Sequence, residues 1–256
     1  MPTAPTTCCG FPARTAEGGG RNGSAPVFIP IHDDNPHRHI AAPVVVYGIL
    51  GVTVIAFLAT LAASPEVVDR AVLALGLVPA VLTGDAALAP GLEIVPAWAT
   101  LVTYAFLHAG WAHLLGNLAF VWVFADNVED ALGHARFALF YLACAAAAGL
   151  THVLVDPASQ APMIGASGAV AGIVGAYLVL HPHVRAWVLV LGPIPIRLPA
   201  AWLILAWAAF QVWNAATDTE GAVAWWSHIG GFIAGAALVV PLRRRGVPLL
   251  DRPVPK

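Results

Sequence analysis

From Val44 onward the chain alternates long apolar runs with short polar ones, and the lengths of those runs carry the first prediction. Val44 to Ala63 is an apolar run of 20 residues, enough for a helix to cross a bilayer. It lies too far from Met1 and is too long for a cleavable leader, so the expectation is a retained span. A long connection follows, Ser64 to about Val95, holding Glu66, Asp69, Arg70, Asp85 and Glu93. Its middle, Ala71 to Leu82, is apolar but only 12 residues long and broken by Gly76 and Pro79. That piece is too short to span and is expected to lie in the interface or to dip in and return. Further spans are expected at about Trp111 to Asp126, Phe137 to Val155, Ser167 to His181, Leu198 to Ala216 and Ala222 to Leu242. Between Arg185 and Arg197 lies an apolar stretch too short and too proline-broken to cross, expected to rest on the membrane surface.

Composition agrees with this pattern. The chain is 59% hydrophobic and 10% charged, with a mean hydropathy of +0.78. Such values exclude an ordinary soluble domain and fit an all-α, multi-pass membrane protein. The net charge of −2 gives no reason to expect nucleic acid. Residues 1–43, rich in Pro, Gly, Thr and Arg, are expected to form a disordered tail, residues 44–245 the six-helix membrane domain, and 246–256 a second short tail. With both termini on one side, that side holds eleven Lys and Arg residues and the other only Arg70. The positive-inside rule then makes both termini cytoplasmic, and the second, fourth and sixth spans begin at the outer face. The three cysteines make no disulfide framework. A Cys8-Cys9 pair near His32, His37 and His39 matches no zinc spacing, and no metal site is expected.

Polar groups inside hydrocarbon are costly and usually have a reason to be there. Gly165-Ala166-Ser167-Gly168 opens the fourth span, where backbone N–H groups lack partners and a serine serves equally as helix cap or as nucleophile. His228 lies 61 residues downstream, about two turns and roughly 9 Å into the sixth span. His113 and Asn117, four residues apart, share a face of the second span. Small residues at Gly168, Gly172 and Gly175 on the fourth span, and at Gly231 and Gly235 on the sixth, allow two helices to approach closely. That approach would bring the His228 imidazole to the Ser167 hydroxyl, giving a general base for acyl transfer. The Ser167 N–H, the Asn117 amide and the His113 ring N–H are candidate donors to an oxyanion. No carboxylate falls within a span near His228, so a dyad is expected rather than a triad, with Asp218 and Glu220 as solvated loop charges. For His108, His134, His152, His181 and His183 an inter-helix hydrogen bond or a loop position is the simpler expectation.

These residues resemble the rhomboid family of intramembrane serine proteases. The resemblance rests on His113-x-x-x-Asn117, Gly165-x-Ser167-Gly168 and His228-x-x-Gly231-x-x-x-Gly235, with Glu129-Asp130, Leu132-Gly133 and the long first outer loop, and covers roughly residues 40 to 245. It implies a six-helix bundle in which Ser167 is the nucleophile, His228 its base, and His113 and Asn117 line the oxyanion hole. It also implies transmembrane protein substrates cut in or near their single span, a lateral gate at the fifth helix, and no metal or cofactor. One position departs from the family pattern. The residue one turn after the serine, often an aromatic packed on the histidine, is Ala171, and Trp225, Trp226 or Phe232 is expected to supply the missing face. The alternative is a catalytically silent relative that binds membrane clients in the same groove. A transporter or channel fits less well, since the spans carry no clear charge and show no inverted repeat.

Overall fold

A computed structural model describes residues 6–7, 29–190, 194–218 and 223–251. Strand β1, Ile29–Asp33, precedes the first long helix, α1, Val44–Ala62. The outer connection folds into two short helices, α2 Pro65–Leu75 and α3 Pro79–Thr83, each opened by a proline whose missing N–H costs nothing at a helix start. A helical stretch α4, Ala97–Phe106, meets α5, Trp111–Leu132, across an 88° bend. Then come α6 His134–Val155, α7 Ser167–Leu180, a hairpin of β2 Arg185–Val190 and β3 Ile194–Pro199, α8 Ala200–Thr217 and α9 Trp225–Leu242.

A helix therefore occupies the position of each expected span. Among the described residues α1, α6 and α9 are by themselves long and apolar enough to cross a membrane, and the bent α4–α5 pair makes a fourth candidate. The molecule is organised around α7. Every residue from Gly168 to Tyr177 is buried, so this uniformly apolar helix is enclosed by protein rather than by lipid. At 14 residues it is about 21 Å long, short of a hydrocarbon core of about 30 Å. By contrast α1 buries only Val46, Thr53 and Phe57, and α8 only Ala200, Leu203, Ile204 and Gln211, as befits helices at the periphery.

The packing of α9 on α7 depends on missing side chains. A Cβ at Gly231 would collide with the carbonyl of Gly168, and one at Gly235 with the carbonyl of Gly172. The anticipated small-residue faces do meet, with the two backbones almost in contact.

On the side away from Ser167 the structure adds one feature and corrects two expectations. The segment between the fourth and fifth expected spans folds into the strands 185–190 and 194–199, and β2 is the central strand, paired antiparallel to both β1 and β3. The reason is a period of two: Ala186 and Val188 are buried while Arg185 and Trp187 face out. The expected disordered tail does not extend to residue 43, since 29–43 are tied to the bundle. Asp130 accepts the backbone N–H groups of Arg38, His39 and Ile40 at 3.0, 2.7 and 2.8 Å. The Glu129 carboxylate accepts those of Val45 and Val46 at 3.0 and 2.9 Å, capping α1 from outside its own sequence. Finally, α5 continues through a π-helical turn, Val121–Ala125, to Leu132, because Asp126, Glu129 and Asp130 face these partners and not a loop. Of the possible tail ligands, Cys8 and Cys9 lie outside the described residues, while His37 and His39 are paired with Asp126 and Asp130.

Candidate active site

Ser167 begins α7 and His228 falls in the first turn of α9, one turn nearer the helix start than expected because α9 opens at Trp225. The glycine contacts between α7 and α9 bring these two starts together. The Ser167 hydroxyl donates to His228 Nε2 across 2.8 Å. On the other side of the ring, Nδ1 lies 2.8 Å from Gln211 Oε1, a carbonyl oxygen that can only accept. The proton is thereby assigned to Nδ1, leaving the Nε2 lone pair facing the serine. His228 and Gln211 are both buried. Gln211 was not foreseen; its signal is an amide at mid-helix in the mostly apolar Ala200–Thr217, where the second amide, Asn214, bonds back to its own helix at Phe210.

Two tryptophans enclose the imidazole. The Trp225 ring meets it edge-on, with centroids 5.9 Å apart at 89°. Trp207, on α8, lies 6.3 Å away at 31°. Ala171 is buried on α7 without supplying a ring, and α8 presents the aromatic from the opposite side. Trp225 was among the anticipated replacements; Trp207 was not. Asp218, expected to be a solvated loop charge, accepts the Trp225 indole N–H at 2.7 Å. Glu220 lies outside the described residues.

The second wall is built by α5 and the bend before it. Gly165 has a φ of 123°, a conformation open to glycine, and a Cβ there would run into the His113 ring. Glycine thus lets the His113 ring approach the backbone just before Ser167. Asn117 is buried and donates one amide hydrogen to the His113 carbonyl at 3.0 Å and the other to His108 Nε2 at 3.1 Å. The Ala166 N–H also points at His108 Nε2, at 3.5 Å. His108 is therefore part of this wall; it sits in the connection between two helices and makes a hydrogen bond to α5, as expected, and the bond falls on Asn117 of the candidate site. The 88° bend at residues 107–110 carries it inward, a turn that hydrophobic periodicity does not reveal. Its Nδ1 is buried and unpartnered among the described residues. Gly168, Gly231 and Gly235 hold the α7–α9 contact described above. Among the described residues no group of His, Cys, Asp and Glu is arranged to hold a metal.

A half-buried serine hydrogen-bonded to a buried histidine, at the starts of two close-packed helices, lies within an integral, multi-pass membrane bundle. The comparison with known proteins is consistent with that arrangement. The Rhomboid domain family model matches residues 96–245, and the chain belongs to the rhomboid family. It is 38% identical over 81 residues to "Putative rhomboid protease YdcA" of Bacillus subtilis, covering 32% of this chain and 40% of that protein. "Rhomboid protease GluP" of the same organism is 34% identical over 144 residues, covering 56% of this chain and 27% of that protein. "Rhomboid-like protein 11, chloroplastic" of Arabidopsis thaliana is 44% identical over 78 residues, 30% of this chain and 28% of that protein. The matched stretches thus span well under half the length of these relatives. At the level of the family the chain is related to intramembrane proteases and to rhomboid-like proteins.

Proposed function

We propose that this protein is an intramembrane serine endopeptidase that cleaves single-span membrane proteins in or near their transmembrane segment. The observation that carries the reading is the hydrogen bond from Ser167 to a histidine whose other nitrogen is held by Gln211. In the first step His228 Nε2 takes the hydroxyl proton as Oγ bonds to the scissile carbonyl carbon. The negative charge moves to the carbonyl oxygen, where the Ser167 N–H at the start of α7, the Asn117 amide and His113 serve as donors. For Asn117 this means redirecting the hydrogen now given to His108. The intermediate collapses as the C–N bond breaks and Nε2 returns its proton to the leaving amine. Water, deprotonated by the same nitrogen, then adds to the Ser167 ester; the bond from Oγ to the acyl carbon breaks, Nε2 returns the proton to Oγ, and the acid product leaves. No metal or cofactor takes part in these steps.

A substrate helix would enter past α8, whose 18 residues bury only four side chains and include Trp207 and Gln211. The catalytic unit comprises residues 44–245, with 29–43 strapped to its inner end. The distribution of Lys and Arg supports termini on the cytoplasmic side and a site open to the other side, in a bacterial inner membrane.

The test is labelling by a fluorophosphonate, which reacts with an activated serine. The parent should label at Ser167, while Ser167→Ala and His228→Ala, each folded as judged by melting temperature, should not. Absence of labelling in the folded parent would favour a silent client-binding relative.

A further inference from the structure

The inner corner where α6 begins and α9 ends gathers four arginines: Arg136, Arg243, Arg244 and Arg245. Arg136 reaches the end of α9, donating to the carbonyls of Leu242 and Arg243 at 3.3 and 3.4 Å. Arg243 donates to the carbonyl of Val247 at 3.0 Å and also to that of Val240. The Arg244 guanidinium lies against Gly133, where a Cβ would sit 2.8 Å from its Nη2, and its backbone N–H donates to Ala131 at 2.8 Å. Its Nε is buried without a hydrogen-bond partner among the described residues. Arg136 and Arg245 are exposed.

None of the four is ion-paired among the described residues. The nearby acids are committed elsewhere. Glu129 caps α1 and binds His134, Asp130 holds residues 38–40, and Asp251 pairs with Arg38. The corner therefore carries four arginines without a carboxylate partner, and the carbonyl end of α9 that Arg136 and Arg243 meet offsets them only in part, since the N-terminus of α6 beside it has the opposite dipole sign. Guanidinium groups match the planar, multidentate geometry of phosphate oxygens. Above the corner, toward the membrane centre, Leu139 and Leu142 on α6 and Ile233 and Val240 on α9 are exposed, 65%, 38%, 62% and 41% respectively, and offer an apolar track for acyl chains.

We infer that this corner binds the phosphodiester headgroup of an anionic lipid of the inner leaflet. The inference rests on the orientation proposed above and is independent of catalysis.

The experiment is native mass spectrometry of the full chain in detergent, titrated with phosphatidylglycerol or phosphatidylcholine. The parent should retain phosphatidylglycerol in preference to phosphatidylcholine. Arg244→Gln and the double variant Arg136→Gln/Arg245→Gln should weaken that retention by roughly fivefold for each arginine removed. Arg185→Gln, which removes an inner-side charge outside the corner, should leave it unchanged. Should Arg244→Gln fail to fold, the double variant at two exposed positions still decides the matter. Equal retention of both lipids, or an equal loss on Arg185→Gln, would overturn the proposal. Complete displacement by millimolar inorganic phosphate would assign the corner to free phosphate and overturn the lipid assignment.

Discussion

At the scale of single residues, the account turns on how His228 is held. A dyad without a carboxylate needs another group to fix the tautomer and to stabilise the imidazolium that forms in the transition state. Gln211 Oε1 is placed to do both. A hydrogen bond to a charged group contributes about 1.5–3 kcal/mol, so Gln211→Leu should lower kcat roughly 10- to 100-fold with little change in KM. Single-turnover cleavage kinetics would check this, and an unchanged kcat would remove Gln211 from the mechanism. Trp207→Ala should likewise reduce kcat by loosening the ring, whereas Trp226→Ala, at an exposed position away from the imidazole, should not. Ser167, His228, His113 and Asn117 were legible in the sequence because polar side chains are rare in apolar spans. Gln211 shared that signal, but an amide suggests no chemistry by itself. His108 was hidden for another reason: its place depends on a sharp bend between two helical pieces.

At the scale of elements, two helix starts are brought together by an absence of side chains. Gly231 and Gly235 on α9 lie against the carbonyls of Gly168 and Gly172 on α7. Enlarging either forces the backbones apart, and overpacking of this kind costs about 1–3 kcal/mol. Gly235→Val should lower the melting temperature and, by moving His228 from Ser167, suppress fluorophosphonate labelling as well. A variant as stable and reactive as the parent would contradict the close approach. These glycines were readable as a G-x-x-x-G spacing, and the long helices as apolar runs. The strands at 185–190 and 194–199 were not read as such because their apolar content outweighed their two-residue alternation. The end of α5 was misread because Asp126, Glu129 and Asp130 resemble loop charges until their partners, the His37 ring and backbone N–H groups some 80 to 90 residues away in sequence, are known.

At the scale of the whole molecule, the end of the bundle away from Ser167 is laced to the chain preceding α1. Asp33 on β1 accepts the Tyr177 hydroxyl of α7 at 2.5 Å and the Asn127 amide of α5 at 3.0 Å. Burial, opposed by the Tyr177 hydrogen bond and reinforced by Asp126, raises the Asp33 carboxyl to about 7. An acid raised in the folded state binds more protons there than in the unfolded chain, so its contribution falls as pH rises from about 4 to 7. The stability difference between Asp33→Asn and the parent should shift in favour of the variant as pH is raised from 5 to 8. Melting curves in detergent would check this, and a difference independent of pH would contradict the assignment.

The central claim is that Ser167 and His228 perform peptide hydrolysis within the membrane. The most direct measurement is cleavage of a single-span substrate by the purified protein in liposomes, with parent, Ser167→Ala and His228→Ala side by side. The account predicts a defined cut in or near the substrate's span by the parent and none by either variant. Continued cleavage by folded Ser167→Ala would contradict it by requiring another nucleophile, and a folded parent that cuts none of several substrates would contradict hydrolysis altogether.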